Sequence, residues 1–344
     1  MLVAQAWATL AASMLTAPLL SGTLFALAAG LMWGLVFVSP LLLPEYPATL
    51  QSFGRYLAFG LIALALAWFD RTTLARLSRS DWAEALKLAL VGNVIYYLLL
   101  ASSIQRAGGP LPTMIIGTLP VVIAITANLR TARVGIRVEA PLPWLRMLPS
   151  LALIATGIAL VNQVELAQLK ADPSADLARY ALGALLAVGA VMCWTWYPIR
   201  NAEWLRAHPD RSPRGWATAQ GLATLPLALV GYAFTWLWFA VSNDPFTMPL
   251  GPRPVFFVGL MLAIGLLASW LGTLCWNEAS QRLPPALAGQ LIVFETLAAL
   301  AYAFVLRGQA PLVQTVAGIA LLVAGVLWAL RTRPMAESAG AHPN

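Results

Sequence analysis

Charge is what this chain has least of. Only 10% of its 344 residues are Asp, Glu, Lys or Arg, against about 25% in a soluble domain. No stretch is polar enough to fold as a separate soluble unit. Cysteine and histidine are also scarce, at two each. Cys193 and Cys275 lie inside apolar runs and read as small buried hydrophobes. His208 lies in a polar joint and His342 in the tail, so no Cys/His metal cluster is visible. No G-x-x-x-x-G-K-[ST] run is present to cradle a nucleotide phosphate. No pair of acids sits deep within the apolar runs for acid–base chemistry; Glu278 lies only at the end of one. The chain is therefore not read as an enzyme, and no cofactor is implied. The first 44 residues carry no charge, which excludes the basic n-region that opens a signal peptide.

What remains is apolar. Hydrophobic residues make up 60% of the chain and the mean hydropathy is +0.76. This composition reads as an all-α integral membrane protein with short loops. A net charge of +7 and a pI near 9.8 raise the question of nucleic acid. The basic residues, however, sit in joints between apolar runs, where a positive-inside bias accounts for them. The partners are a lipid bilayer and a small molecule, with no nucleic acid.

A spanning helix needs about 20 apolar residues. Ten candidates occur, at roughly 21–43, 50–69, 82–104, 110–129, 147–164, 179–200, 216–240, 254–277, 285–306 and 312–331. Residues 1–20 form an extension, 165–178 a connecting loop and 332–344 a tail. With both termini in the cytoplasm, fifteen Lys and Arg fall on that side and six on the other. The bias sets that orientation.

The two halves resemble each other. SGTLFALAAGLMW (21–33) aligns with LGALLAVGAVMCW (182–194) at a step of 161, matching Gly22 with Gly183 and Trp33 with Trp194. SIQRAGGPLPTMIIGTLP (103–120) aligns with ASQRLPPALAGQLIVFET (279–296) at a step of 176. Five spans per half is an odd number, so the second half enters the membrane upside down. The expectation is ten transmembrane helices as two inverted five-helix repeats, 21–164 and 179–331. Such repeats hold substrate near the midplane, between the halves.

The paired halves, AAGLMWG (28–34), SFGRYLA (52–58) and GTLPVV (117–122) resemble the EamA-type, ten-helix branch of the drug/metabolite transporter superfamily. Where that family often carries Glu-Pro, this chain reads Glu295-Thr296. The resemblance implies a secondary transporter of the cytoplasmic (inner) membrane. Its implied cargo is a small metabolite, such as an amino acid, that is exported. Lipophilic cations or drugs are the alternative cargo. A non-transporting membrane sensor or assembly subunit is the alternative of another class.

Glu295 is the sharpest candidate for substrate binding or coupling. It is the one charge in the twenty-four residues between Arg282 and Arg307, and a charge at that depth costs about 2.5–3.5 kcal/mol on insertion scales. It reads either as a carboxylate facing a cavity, taking an amine or a coupling proton, or as half of a structural ion pair. Arg55 reads as its partner, contacting a substrate carboxylate, or as a snorkelling side chain. Trp33 and Trp194 hold equivalent repeat positions and read as cavity walls or belt residues. Asn93 and Tyr97, four apart, share a helical face as pathway lining or interhelical glue. Tyr302 is seven residues from Glu295, nearly on its face, whereas Gln290 is rotated about 140° away. Gly30 and Gly34 form a GxxxG pair suited to close helix packing.

Overall fold

The computed structural model describes residues 2–108, 110–134, 144–171, 176–242, 245–283, 288–289, 291–308 and 310–331. Every described element is helical and none is a strand. The principal helices are α1 (Leu2–Gly34), α2 (Ala48–Leu74), α3 (Arg79–Ala107), α4 (Pro110–Ile116), α5 (Leu119–Val134) and α6 (Trp144–Ala171). They continue with α7 (Leu177–Ala207), α8 (Pro213–Val241), α9 (Pro254–Arg282), α10 (Val293–Arg307) and α11 (Val313–Arg331). Short helical turns, Leu35–Phe37 and Ser39–Leu42, prolong α1.

Six of the described helices are long and apolar enough to span a bilayer: Pro18–Leu42, α2, α3, α7, α8 and α9. Shorter apolar helices cover Leu111–Ile123, Leu148–Leu160, Val293–Leu306 and Val313–Gly325. Two departures from the expected spans stand out. Residues 2–20 are helical and continuous with the first span, because nothing between Leu2 and Gly34 breaks the run except Pro18. The expected loop 165–178 is mostly helix, since VELAQLKA favours helix and carries α6 to Ala171. The expected tail, 332–344, lies outside the described residues.

Local chemistry sets the ends. Ser78 and Asp81 form a capping box at the start of α3, satisfying two orphan N–H groups reciprocally. Asp176 and Ser212 accept from the backbones of Arg179 and Gly215 to cap α7 and α8. Pro213 and Pro254 occupy first-turn positions, where a missing N–H costs nothing. Gly308 ends α10 at φ +61°, a conformation that favours glycine.

Two helices contain a π segment: Ala89–Ile95 in α3 and Gly265–Leu271 in α9. Ala89 to Gly265 and Ile95 to Leu271 are both steps of 176 residues. Two apolar helices are broken as well. Gly117 and Thr118 separate α4 from α5, and Ile292 interrupts the chain just before α10. No proline stands at the second break, where Thr296 replaces the proline of the resembling family.

Packing is mirrored about the centre. α2 lies on α8, and α6 on α11. α1 packs on α9 and α10, while α7 packs on α3 and α4. The α1–α10 seam is very close. A Cβ on Gly34 would stand 2.7 Å from the Ala298 Cβ and 2.9 Å from the Ala299 N. One on Gly30 would stand 3.0 Å from the backbone N of Glu295. The GxxxG pair is therefore a packing seam, and Gly34→Leu is expected to cost more than about 1–3 kcal/mol of overpacking. Monodisperse yield in detergent checks this; an unchanged yield would mean the seam tolerates being opened.

Candidate functional site

The interior is built around aromatic rings. Trp33 and Trp194 meet edge to face, with centroids 5.0 Å apart. Trp276 adds a tilted contact to Trp33 at 5.2 Å. Trp194 is itself stacked with Tyr96 at 4.5 Å and with Tyr197 at 4.9 Å. Such stacks fix ring orientation beyond what buried area alone supplies. Four helices therefore converge here: α1, α3, α7 and α9.

Glu295 stands beside these rings in the first turn of α10. It is 1% exposed, and neither carboxylate oxygen has a hydrogen-bond partner among the described residues. Its polar neighbours are Trp194 and Tyr96, whose indole N–H and hydroxyl are themselves buried and unpartnered. The break at Ile292 places a helix N-terminus inside the protein, and its dipole favours negative charge there.

Arg55 is the other charge. It is 5% exposed, so it does not snorkel to an interface. Its stem is drawn inward because Nε donates to Ser269 Oγ on α9 at 3.0 Å. The guanidinium lies over the Tyr97 and Tyr56 rings, 4.5 and 5.0 Å from their centroids. One terminal nitrogen is buried without a partner, and among the described residues Arg55 makes no ion pair. The site thus holds a buried carboxyl and a buried guanidinium that act on each other electrostatically without closing a contact. Each carries a desolvation cost of several kcal/mol until something pairs with it.

The remaining expected residues fall elsewhere. Asn93 donates to Thr224 on α8 at 3.1 Å, which is interhelical glue. Tyr97 lies against Arg55, and its hydroxyl donates to the Val36 carbonyl at 3.2 Å. The π segment separates the two residues' environments, although i and i+4 share a face in a regular helix. Tyr302 donates to the Leu31 carbonyl at 3.1 Å near the surface of α1. It stays on the side of α10 that meets α1 but is not among the neighbours of Glu295. Gln290 lies outside the described residues. Tyr96 went unread because a regular α3 gave it no polar partner; the π segment just before it was the missing signal.

Polar contacts gather toward both ends of the helices. At one end Glu45 pairs with Arg253, with a closest approach of 2.5 Å. Tyr46 there accepts from the Arg253 backbone and donates to Leu250. At the other end Arg200 grips Glu84 with Nε at 2.5 Å and Nη2 at 3.2 Å. Trp204 donates to Asp81, and Arg214 and Thr218 both bind Asp70. A separate surface depression of about 490 Å³, beside Gln105, Arg106 and Arg179, contains none of the chamber residues.

Comparison with known proteins decides the family. The EamA-like transporter family model matches residues 20–137. The inner membrane protein YtfF of Escherichia coli (strain K12) is 54% identical over 316 residues, covering 92% of this chain and 97% of that protein. The chain belongs to the EamA-like transporter family. A solved crystal structure 19% identical in sequence superposes on it with a TM-score of 0.65, over 91% of this chain and 98% of that one. At that identity the likeness speaks for the fold alone. It covers both halves, whereas the family model matches only the first.

Proposed function

We propose that this EamA-family chain is a secondary active transporter of the cytoplasmic membrane. It carries a small metabolite outward by alternating access around the aromatic chamber, with both termini in the cytoplasm. One observation carries this reading: the Glu295 carboxyl and the Arg55 guanidinium are both buried, with both carboxyl oxygens and one guanidinium nitrogen unpartnered, among helices from both ends of the chain. A zwitterion such as an amino acid satisfies both, its amine at Glu295 and its carboxylate at Arg55. Glu295 is also the group that takes a coupling proton.

The ten-helix, inverted-repeat organisation is part of the proposal, with repeats at 21–164 and 179–331. It is supported by the two π segments at one sequence step and by the two broken helices. The exchange of packing partners between α1 and α7 supports it as well, as does the meeting of Trp33 with Trp194. Broken helices at mirrored places are how such carriers expose backbone ends to cargo.

A second reading keeps the fold and changes the cargo to a lipophilic cation. The ring faces of Trp33 and Trp194 favour it, since indoles attract cations. Extracellular metabolite profiles of expressing and non-expressing cells test both. Enrichment of a zwitterionic metabolite that lipophilic cations fail to compete supports the first reading. Competition by such cations supports the second, and an unchanged medium together with no flux in proteoliposomes would end both.

A further inference from the structure

The two halves of the chamber are not identical, and their departures meet at one point. At the step of 176, Tyr96 corresponds to Gly272 and Leu119 to Glu295. Around them the correspondence holds. Trp33 matches Trp194, and the Tyr97–Val36 contact is answered by one between Thr273 and Tyr197, the residues equivalent to them. Trp33 therefore rests directly on the α9 backbone, where a Cβ on Gly272 would stand 2.7 Å from the indole nitrogen. Trp194 instead rests on a tyrosine ring. The half that lacks a carboxylate supplies the hydroxyl, and the half that lacks the hydroxyl supplies the carboxylate.

We propose that Tyr96 is the positioning residue for Glu295, holding its carboxyl in the orientation that cargo meets. The inference rests on the carrier reading only in taking Glu295 as the working charge of the chamber. The Tyr96 ring cannot turn away, because it is stacked on Trp194 at an interplanar angle of 17° and is 3% exposed. Its hydroxyl has no hydrogen-bond partner among the described residues, and the equally unpartnered Glu295 carboxyl is the acceptor beside it. The adjoining π segment, Ala89–Ile95, is what turns this residue into the chamber; such segments recur at functional sites. Trp194 Nε1–H is a second donor, held in place by the same stack. The groups facing Glu295 are then Tyr96 from α3, Trp194 from α7 and Arg55 from α2, with Gly30 of α1 pressed against its backbone. Two preorganised donors at one carboxyl favour a single rotamer, which a flexible glutamate otherwise lacks.

The test reads the carboxyl itself. Infrared spectra of the purified protein in lipid nanodiscs are recorded for the parent chain and for Glu295→Gln. Their difference isolates the Glu295 band in whichever charge form is present. The same difference is then taken in a Tyr96→Phe background, and in a Tyr302→Phe background as control. The expected result is a displaced band in Tyr96→Phe and an unmoved one in Tyr302→Phe. Transport should fall roughly tenfold in Tyr96→Phe, the size of one hydrogen bond to a charged group. A band that superimposes on the parent's would overturn the proposal, even if the variant melted lower, because lost packing does not restore a hydrogen bond. The spectrum needs no cargo. A displaced band with no measurable flux would therefore uphold Tyr96 while removing the transport reading, and the converse would do the opposite.

Discussion

Glu295→Gln is expected to yield a protein that melts at a higher temperature and transports at least about a hundredfold more slowly. The two effects share one cause. The carboxyl is buried with neither oxygen hydrogen-bonded. A neutral isostere removes the cost of burying a carboxylate; whole buried ion pairs replaced by apolar residues stabilise by about 1–4 kcal/mol, and among the described residues there is no closed ion pair here to lose. Removing the carboxylate from a loaded carrier leaves a cargo charge unpaired, which costs about 3–5 kcal/mol and gives the hundredfold or greater loss. Thermal melting in detergent and flux in proteoliposomes measure the two sides separately. A variant that melted lower would show that Glu295 holds the fold together, and the rival reading of a structural ion pair would then stand.

The second large effect concerns Arg55. Arg55→Lys keeps the charge yet is expected to lose about ten- to a hundredfold in flux, because lysine offers a compact point charge in place of a planar fork. The guanidinium bonds Ser269 through Nε while lying over two tyrosine rings, and one ammonium cannot meet all three. Arg55→Gln combined with Glu295→Gln is the sharper measurement. If one cargo molecule is read at both ends, the double variant is little slower than Glu295→Gln alone. Additive losses would show that the two charges act on separate steps.

Much of this was legible beforehand. Long apolar runs gave the helices, because a chain in lipid must bond its backbone internally. Trp33 and Trp194 could be paired from the internal repeat, and they do meet. Glu295 could be singled out because an isolated charge among apolar residues needs a compensation. The misses have physical reasons. Arg55 stood open between a cargo contact and a snorkelling side chain because sequence gives only its distance from a helix end; Ser269 and the tyrosines draw it inward. Asn93 and Tyr97 looked like one face because the α period was assumed through a stretch that is π-helical. Tyr302 was placed by angle alone, and a helix face is also a matter of depth. Tyr96 carried no sequence signal, since a tyrosine beside another tyrosine in an apolar run is ordinary core.

The glycine seam of α1 has a consequence for how the protein is made. Gly30 and Gly34 are made about 265 residues before the α10 backbone that they press against (295 − 30). At 5–20 residues per second, α1 waits on the order of ten to fifty seconds for that partner. During that interval its bare glycine face meets lipid or an insertion chaperone. The converse holds for α7, whose partners α3 and α4 are already made when it emerges. The packing of α1 is completed only once α9 and α10 have entered the membrane.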